Sequence, residues 1–326
     1  MIDAFERNID YLRISVTDRC NLRCIYCMPA EGVELSSYQD ILRLEEIIKV
    51  IRSAVSLGIK KIRFTGGEPL VRKGIIDLVK ETSEIPEIQD ISMTTNGILL
   101  PEMAKSLKKA GLDRVNISLD TLVPQKFAEM TRGGQFGKVW LGIEAASDAG
   151  LEPVKLNTVI IRGQNDDEIL DFVDLTTKMP IHVRFIELMP IGASQAAARD
   201  VYISSDELLH MVGNQREIVP ESEVMGSGPA KYYRIPGAPG TVGFISPISS
   251  HFCGTCNRVR LTAEGQLRPC LQSPQEIDLR VPLRSGASEQ ELADVIKLAI
   301  NSKPEKHDLA QTGWEGNRRV MNQIGG

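Results

Sequence analysis

Six cysteines are the residues of this 326-residue chain best suited to chemistry, and they fall into two groups of three. Cys20, Cys24 and Cys27 follow a C-x3-C-x2-C spacing. Cys253, Cys256 and Cys270 lie beyond an interval of 225 residues that contains none. Ordinary buried cysteines would be scattered more evenly. A loop with the first spacing can wrap a cubane iron–sulfur cluster and give one thiolate to each of three irons. Such clusters are normally closed by four cysteines, so the fourth iron would stay open to a ligand, as catalytic zinc keeps one position free. The second group begins with Cys253-Gly254-Thr255-Cys256, a spacing equally suited to half of a zinc site that His251 could complete. Spacing alone leaves zinc and iron both open there.

The segments that must position these thiols alternate between β-rich runs and amphipathic helical stretches. Strands are expected over residues 9–16, 60–67, 90–97, 114–120, 153–161 and 182–190, each rich in Ile, Val or Phe and most followed by Gly, Pro or Asn. Apolar residues at helical spacing over 44–58, 74–84, 101–111, 137–150 and 165–178 predict the intervening helices. Six such repeats imply a parallel sheet with right-handed crossovers. They are two units short of a closed eight-stranded barrel. The expected fold is therefore α/β, a partial (β/α)6 barrel of the TIM type, with a doubly wound open sheet as the alternative.

In either architecture ligands belong at the carboxyl ends of the strands. The first cysteine loop follows the first strand. The next strands run into Gly66-Gly67-Glu68-Pro69, Thr94-Thr95-Asn96-Gly97, Ser118-Leu119-Asp120 and Glu187-Leu188-Met189-Pro190. All this polar or Gly-rich punctuation falls at one end of the sheet, so it should converge on one face. Residues 191–200 (IGASQAAARD) read as a linker or exposed loop. A short helix over 204–212, a Gly/Pro-rich stretch to about residue 243, a hairpin turning at Glu264-Gly265, a helix over 288–301 and a polar tail complete the chain. The expected division is a core of residues 5–222 and a smaller α+β domain of residues 223–326 holding the second cysteine group.

Composition narrows the classes. A hydrophobic fraction of 42% supports a sizeable core, and a net charge of −5 offers no footprint for nucleic acid or an anionic membrane. A local basic pocket for a phosphorylated small molecule is compatible with that charge. The first twenty residues carry charges throughout and no apolar h-region, and no run reaches the ~18 apolar residues of a spanning helix. A cytoplasmic location is expected, where thiols stay reduced and cysteine groups serve metals or catalysis.

The first cysteine loop, with Tyr26 before its last thiol, resembles that of the radical S-adenosylmethionine superfamily, and Gly66-Gly67-Glu68-Pro69 resembles its GGEP motif. ISVTDRCNLRCIYCMP, IRFTGGEPLVRK, FIELMPIG, FCGTCNRVRLTAEGQLRPCL, DLRVPLR and the terminal IGG together are similar to one branch, the GTP 3′,8-cyclase family of molybdenum cofactor biosynthesis. The resemblance runs nearly the whole length, in order. It implies a partial barrel with two [4Fe-4S] clusters, S-adenosylmethionine as cofactor and GTP as substrate. In that family a 5′-deoxyadenosyl radical takes the ribose C3′ hydrogen, and the sugar radical closes on purine C8.

Carried onto matching positions, the resemblance implies that Cys20, Cys24 and Cys27 hold the first cluster and Cys253, Cys256 and Cys270 the second. Tyr26, Gly67, Ser118 and Met189 would contact S-adenosylmethionine. Arg13, Arg63, Thr94, Lys155, Arg258, Val259 and Arg260 would contact GTP, and Arg318, Arg319, Gly325 and Gly326 would serve the catalytic step. Arginine forks suit phosphate oxygens, and Arg13, Arg63 and Lys155 sit in otherwise apolar strands where a bound anion would offset their burial. Arg184 could join them, and His307 fits a structural position. Without the resemblance, a single strand Arg or Lys would more often pair with a carboxylate or point outward. Expected partners are an electron donor such as flavodoxin or ferredoxin and a downstream cyclic pyranopterin monophosphate synthase. A monomer and a homodimer are both compatible with the sequence. The alternative function is a radical peptide maturase with an auxiliary cluster, though such enzymes usually carry longer cysteine-rich C-terminal regions. ASQAAARD departs from the family, which usually carries polar residues there.

Overall fold

Alternation along the first strand, Tyr11-Leu12-Arg13-Ile14-Ser15, already separates two faces. Leu12 and Ile14 are fully buried against helices, while Tyr11 and Arg13 turn toward a central cavity. The computed structural model describes residues 1–191, 198–224, 226, 228–307 and 319–325. Its first half is a run of βα units: β1 (Tyr11–Ser15), α1 (Leu44–Val55), β2 (Lys61–Thr65), α2 (Ile75–Ser83), β3 (Asp90–Thr95), α3 (Leu100–Lys109), β4 (Arg114–Ser118), α4 (Pro124–Thr131), α5 (Phe136–Asp148), β5 (Lys155–Ile160), α6 (Ile169–Lys178) and β6 (His182–Glu187). All six expected strands form. The extra helix α4 was not expected; Pro124 opens it at a position where proline's missing N–H costs nothing.

The helices form because their apolar residues fall on one face. In α1, Ile47, Ile48, Val50, Ile51 and Ala54 are buried, and Glu46 at its start accepts the Arg43 amide at 2.7 Å. Each fully buried Ile or Leu removes enough apolar surface from water to contribute about 1.5–3 kcal/mol. One continuous apolar layer between helices and strands results, extending from Ile9 to Ile300.

The strands β1 to β6 lie in chain order and all run parallel. A doubly wound sheet would reverse its order at a switch point, so the barrel-type arrangement is the one adopted. The C-terminal part then extends this sheet at both ends. After α7 (Ala198–Val201) and α8 (Ser205–Gly213), capped by the Ser204 hydroxyl, come β7 (Val219–Glu221), β8 (Lys231–Arg234) and β9 (Thr241–Ile245). β9 lies parallel to β6, with Arg184 opposite Gly243. β10 (Arg258–Leu261), β11 (Gln266–Arg268) and β12 (Ile277–Asp278) follow, and β10 lies parallel to β1, with Arg13 opposite Arg260. The short helix α9 (Arg280–Arg284) then pairs its Arg284 with Glu46 of α1, and α10 (Glu289–Asn301) packs beside α1.

Eight parallel strands thus stand side by side, from β10 through β1–β6 to β9. The barrel still stays open, because β11 pairs antiparallel with β10 and β8 pairs antiparallel with β9. The expected hairpin at Glu264-Gly265 is the β10–β11 pair. A second hairpin, β7–β8, crosses the expected division at residue 222, so the sheet is continuous there. Of the unusual ASQAAARD segment, residues 193–197 lie outside the described residues, and Ala198 begins α7. Among the described residues no helix is long and apolar enough to cross a membrane.

Candidate active site

Side chains from all eight parallel strands line one cavity of about 320 Å³, and all six cysteines open onto it. The expected convergence of strand ends is therefore present: Thr65, Gly66, Gly67, Thr95, Asn96, Ser118, Glu187 and Met189 share its wall with the cysteine loops.

The first cysteine loop is held from several sides. It turns tightly, with the Cys27 amide donating to Cys24 O at 2.9 Å. Arg23 and Ile25 donate to Thr131 O and Met130 O at the end of α4, and Arg132 returns bonds to Arg23 O and Met28 O. Gly67 packs against the base of the loop so closely that a Cβ there would lie 2.3 Å from Arg19 O. Only glycine fits. Glu68, buried behind it, accepts the Leu70 amide, the Thr95 hydroxyl and the Asn96 amide at 2.6–3.0 Å, and burial raises its carboxyl to about 7. The Tyr26 hydroxyl donates to Asp120 at 2.8 Å, and the second Asp120 oxygen accepts the Val159 amide. Burial lifts Asp120 to about 6.

Burial pushes the thiols of Cys20 to about 11 and Cys27 to about 12, and Cys24 well above its ordinary range. Cys24 also feels Asp120 and its two companion cysteines. Such thiols stay protonated unless a cationic group takes them as thiolates.

Around the second group, Arg7 donates to Cys253 O at 3.0 Å while paired with Asp3. Buried Lys303 donates to Arg258 O at 2.9 Å and to Pro269 O at 2.7 Å, joining the two cysteine-bearing arms. Burial acts upward on the Cys256 thiol, but Arg258 and Lys303 outweigh it and bring it to about 7. A tetrahedral zinc would draw its sulfurs to about 3.8 Å from one another. Among the described residues no three His, Cys, Asp or Glu side chains converge to hold one ion, His251 included.

Between the two cysteine groups lies a band of cations. Arg13, Arg63 and Arg260 stand in register on β1, β2 and β10, with Arg258 two residues along and Arg184 across on β6. None of Arg63, Arg184, Arg258 and Arg260 is ion-paired among the described residues. The Nε atoms of Arg63 and Arg184 are buried without a hydrogen-bond partner. Arg63 reaches Thr94 at 3.5 Å, and Arg184 donates to Asn157. Burial and Arg260 hold Arg13 well below its ordinary range; burial and Arg258 bring Arg260 to about 10. Lys155, two residues before Asn157 on β5, is buried with its Nζ 3.4 Å from the Tyr232 hydroxyl and does not itself line the cavity. Burial, then Arg184, Arg114 and Arg63, lower its ammonium to about 7. A band this positive needs an anion.

The described part of the tail enters the same space. Arg319 is ion-paired with Glu264 at 2.6 Å and Glu276 at 2.7 Å, so its guanidinium anchors the tail. Gly325, at φ 75° and with a would-be Cβ 2.9 Å from Thr65, accepts Arg13 and Arg260 on its carbonyl at 3.3 Å. Arg318 and Gly326 lie outside the described residues. Tyr26, Gly67, Ser118, Met189, Arg13, Arg63, Thr94, Arg258 and Arg260 all line the cavity. Val259 turns into the core instead, leaving only its main chain near the site. His307 lines the wall and bonds Pro247 O at 2.8 Å.

Sequence reasoning placed Asp120 and Glu187 at strand ends but gave them no role. Glu187 is buried and accepts the amides of Ser205, Ile248 and Ser249 as well as the Ser249 hydroxyl, which ties the end of β6 to the loop leading into the second cysteine group. An acidic residue followed at once by apolar ones at a strand end was the available signal.

A family model of the radical SAM superfamily matches residues 14–176, and one described as Molybdenum Cofactor Synthesis C matches residues 181–309. Among solved structures, SuiB from Streptococcus suis bound to S-adenosylmethionine shares the fold (TM-score 0.58, 16% identity, 94% of this chain and 77% of that one). Fold, cysteine loop and matched regions together define a radical SAM protein with a molybdenum-cofactor-type C-terminal region. GTP 3′,8-cyclases from Heliobacterium modesticaldum and Pelotomaculum thermopropionicum are 55% and 57% identical to it, covering 100% of both chains in each case. The chain belongs to the GTP 3′,8-cyclase family.

Proposed function

We propose that this chain converts GTP to (8S)-3′,8-cyclo-7,8-dihydro-GTP, the first step of molybdenum cofactor biosynthesis. The observation that carries the proposal is the single cavity onto which two three-cysteine groups and a band of buried cations all open. In this assignment Cys20, Cys24 and Cys27 hold one [4Fe-4S] cluster and Cys253, Cys256 and Cys270 a second, each leaving one iron for a ligand. When bound, the first cluster and S-adenosylmethionine supply a 5′-deoxyadenosyl radical able to take the ribose C3′ hydrogen.

The protein's own residues position and shield. Tyr26, Gly67, Ser118 and Met189 form the cofactor wall, with Asp120 fixing the Tyr26 ring through its hydroxyl. Arg13, Arg63, Thr94, Lys155, Arg258 and Arg260, with the main chain at Val259, hold the nucleotide, and Arg184 extends the same band. Arginine forks oriented by the sheet register bind phosphate oxygens without further ordering. Gly325, in the stretch anchored by Arg319, accepts Arg13 and Arg260 and would help exclude water from the reacting sugar; Arg318 and Gly326 are assigned to the same catalytic step by the family resemblance. In this reading residues 5–222 carry the first cysteine group, the cofactor wall and Arg13, Arg63, Thr94 and Lys155 of the nucleotide site, and residues 223–326 carry the second cysteine group with Arg258 and Arg260.

The proposed setting is the cytoplasm, with an electron donor of the flavodoxin or ferredoxin class and a downstream cyclic pyranopterin monophosphate synthase; a homodimer is testable by light scattering. The deciding experiment is anaerobic incubation of reconstituted protein with GTP, S-adenosylmethionine and reductant. The expected result is 5′-deoxyadenosine formed together with the cyclised nucleotide. Deoxyadenosine with intact GTP would leave the superfamily chemistry standing and reject the substrate; protein that binds zinc in place of iron would reject both.

A further inference from the structure

Arg7 stands outside the band of cations, yet it is 5% exposed and paired at 2.7 Å with Asp3, itself 6% exposed. The two belong to one tight turn. Asp3 Oδ1 accepts the amides of Phe5 and Arg7 at 3.0 and 2.9 Å, and the Asp3 amide donates to Arg7 O at 3.0 Å. Glu6 closes that turn at φ 61°, a left-handed conformation that a side chain of this kind seldom adopts. Such strain persists where the surroundings enforce it, and here it aims the Arg7 fork inward. Nε and Nη2 lie on Asp3 Oδ2 at 2.7 Å, and Nη2 also donates to Pro304 O at 2.8 Å. Nη1 donates to Cys253 O at 3.0 Å and to Glu305 O at 2.9 Å. One guanidinium thus ties the start of the second cysteine group to the segment 303–305. That segment carries Lys303, whose ammonium holds Arg258 O and Pro269 O, main chain beside Cys256 and Cys270. All three cysteine arms are therefore fixed by carbonyls bound to two buried cations, and both cations meet at one segment.

We propose that Arg7 is a positioning residue of the second iron–sulfur centre: the turn over residues 3–7 clasps Cys253 to the segment 303–305 and sets the spacing at which the three thiols take one cluster. The inference rests on the assignment of Cys253, Cys256 and Cys270 to that cluster; the three thiols are free and open onto one cavity. A centre held by three thiolates has no protein ligand to spare, so one loose arm leaves only two. Groups behind metal ligands fix ligand geometry, and their loss typically weakens metal holding about 10–100-fold. Arginine is the residue for this task because its planar fork meets several acceptors in fixed directions, which the point charge of lysine cannot do. Asp3 neutralises the fork, so its action on the cysteine group is geometric and not a matter of net charge.

The test is an anaerobic chelator challenge of the reconstituted holoenzyme, followed by iron content and by electron paramagnetic resonance after reduction. The signal altered by S-adenosylmethionine marks the first centre, and the remaining signal marks the second. Arg7→Lys keeps the charge without the fork, and Arg7→Met removes both. The double variant Asp3→Asn, Arg7→Met removes the two charges together, so no carboxylate stays buried without a partner. The expected result is release of second-centre iron about 10–100-fold faster in all three variants, with the first-centre signal and the circular dichroism unchanged. Parent-like retention at the second centre in the double variant, with only the unfolding temperature lowered, would assign the clasp to stability and overturn the proposal. Full retention in Arg7→Lys would overturn the role of the fork. Equal loss from both centres would also overturn it, since the clasp is bonded to the second group. If Arg7→Met is insoluble, Arg7→Lys and the double variant still decide. A parent protein with iron for one centre only would reject the assignment of the second cysteine group, and the inference with it.

Discussion

Lys155 makes nucleotide binding sensitive to pH in a way that can be worked through. Its ammonium is lowered to about 7 by burial first, then by Arg184, Arg114 and Arg63. In the protein without nucleotide it is thus charged below pH 7 and increasingly neutral above it. A triphosphate placed beside it favours the charged form and returns it toward the ordinary lysine range near 10.4. Binding above pH 7 must therefore take up a proton, and each further pH unit weakens binding about tenfold, or about 1.4 kcal/mol. The phosphate's own second ionisation, near pH 6, is nearly complete by then and does not contribute. GTP affinity measured without reductant should fall about tenfold from pH 7.5 to 8.5, with close to one proton taken up in calorimetry across buffers. Lys155→Arg keeps its charge throughout and should flatten the slope, while Lys155→Met should bind weakly with little pH dependence. A flat profile for the parent protein, or a slope that survives in Lys155→Arg, would refute the assignment of Lys155 to the phosphate site.

Glu187→Gln should lower thermal stability by about 2–4 kcal/mol, because an amide replaces one of two oxygens that face only donors. Calorimetric unfolding checks this, and loss of iron from the second centre should accompany it. Gly67→Ala forces a methyl to within 2.3 Å of Arg19 O and should deplete first-centre iron while sparing the second, read by iron analysis and spectroscopy. Removing Gly325 and Gly326 should abolish turnover and leave both clusters in place; undiminished product formation would sink the closing role of the tail.

The first half of the chain was legible because its periodicities are local. Leu12 and Ile14 alternate with Tyr11 and Arg13 within five residues, and the apolar face of α1 repeats within twelve. The cysteine groups and the Gly66-Gly67-Glu68-Pro69 turn were legible for a different reason, since their spacing is itself the chemistry. The strands β8 and β9 beyond β6 were not, because KYYR and TVGFI are separated by IPGAPG, whose prolines and glycines suppress a strand signal. That β10 would lie against β1 depends on a parallel pairing across most of the chain, which no local pattern encodes. Val259 was expected at the nucleotide for its neighbours' sake, yet strand alternation between Arg258 and Arg260 sends its side chain to the core. Glu187 and Asp120 escaped notice because each acts by holding another group, and a single buried polar residue carries no spacing to recognise.

The pairing of β10 with β1 also sets an order in time. The strand that leads into the first cysteine loop is made about 250 residues before its outer neighbour. At roughly 5–20 residues per second, β1 waits about 12–50 s with one edge unpaired. An open parallel edge of that duration invites wrong partners.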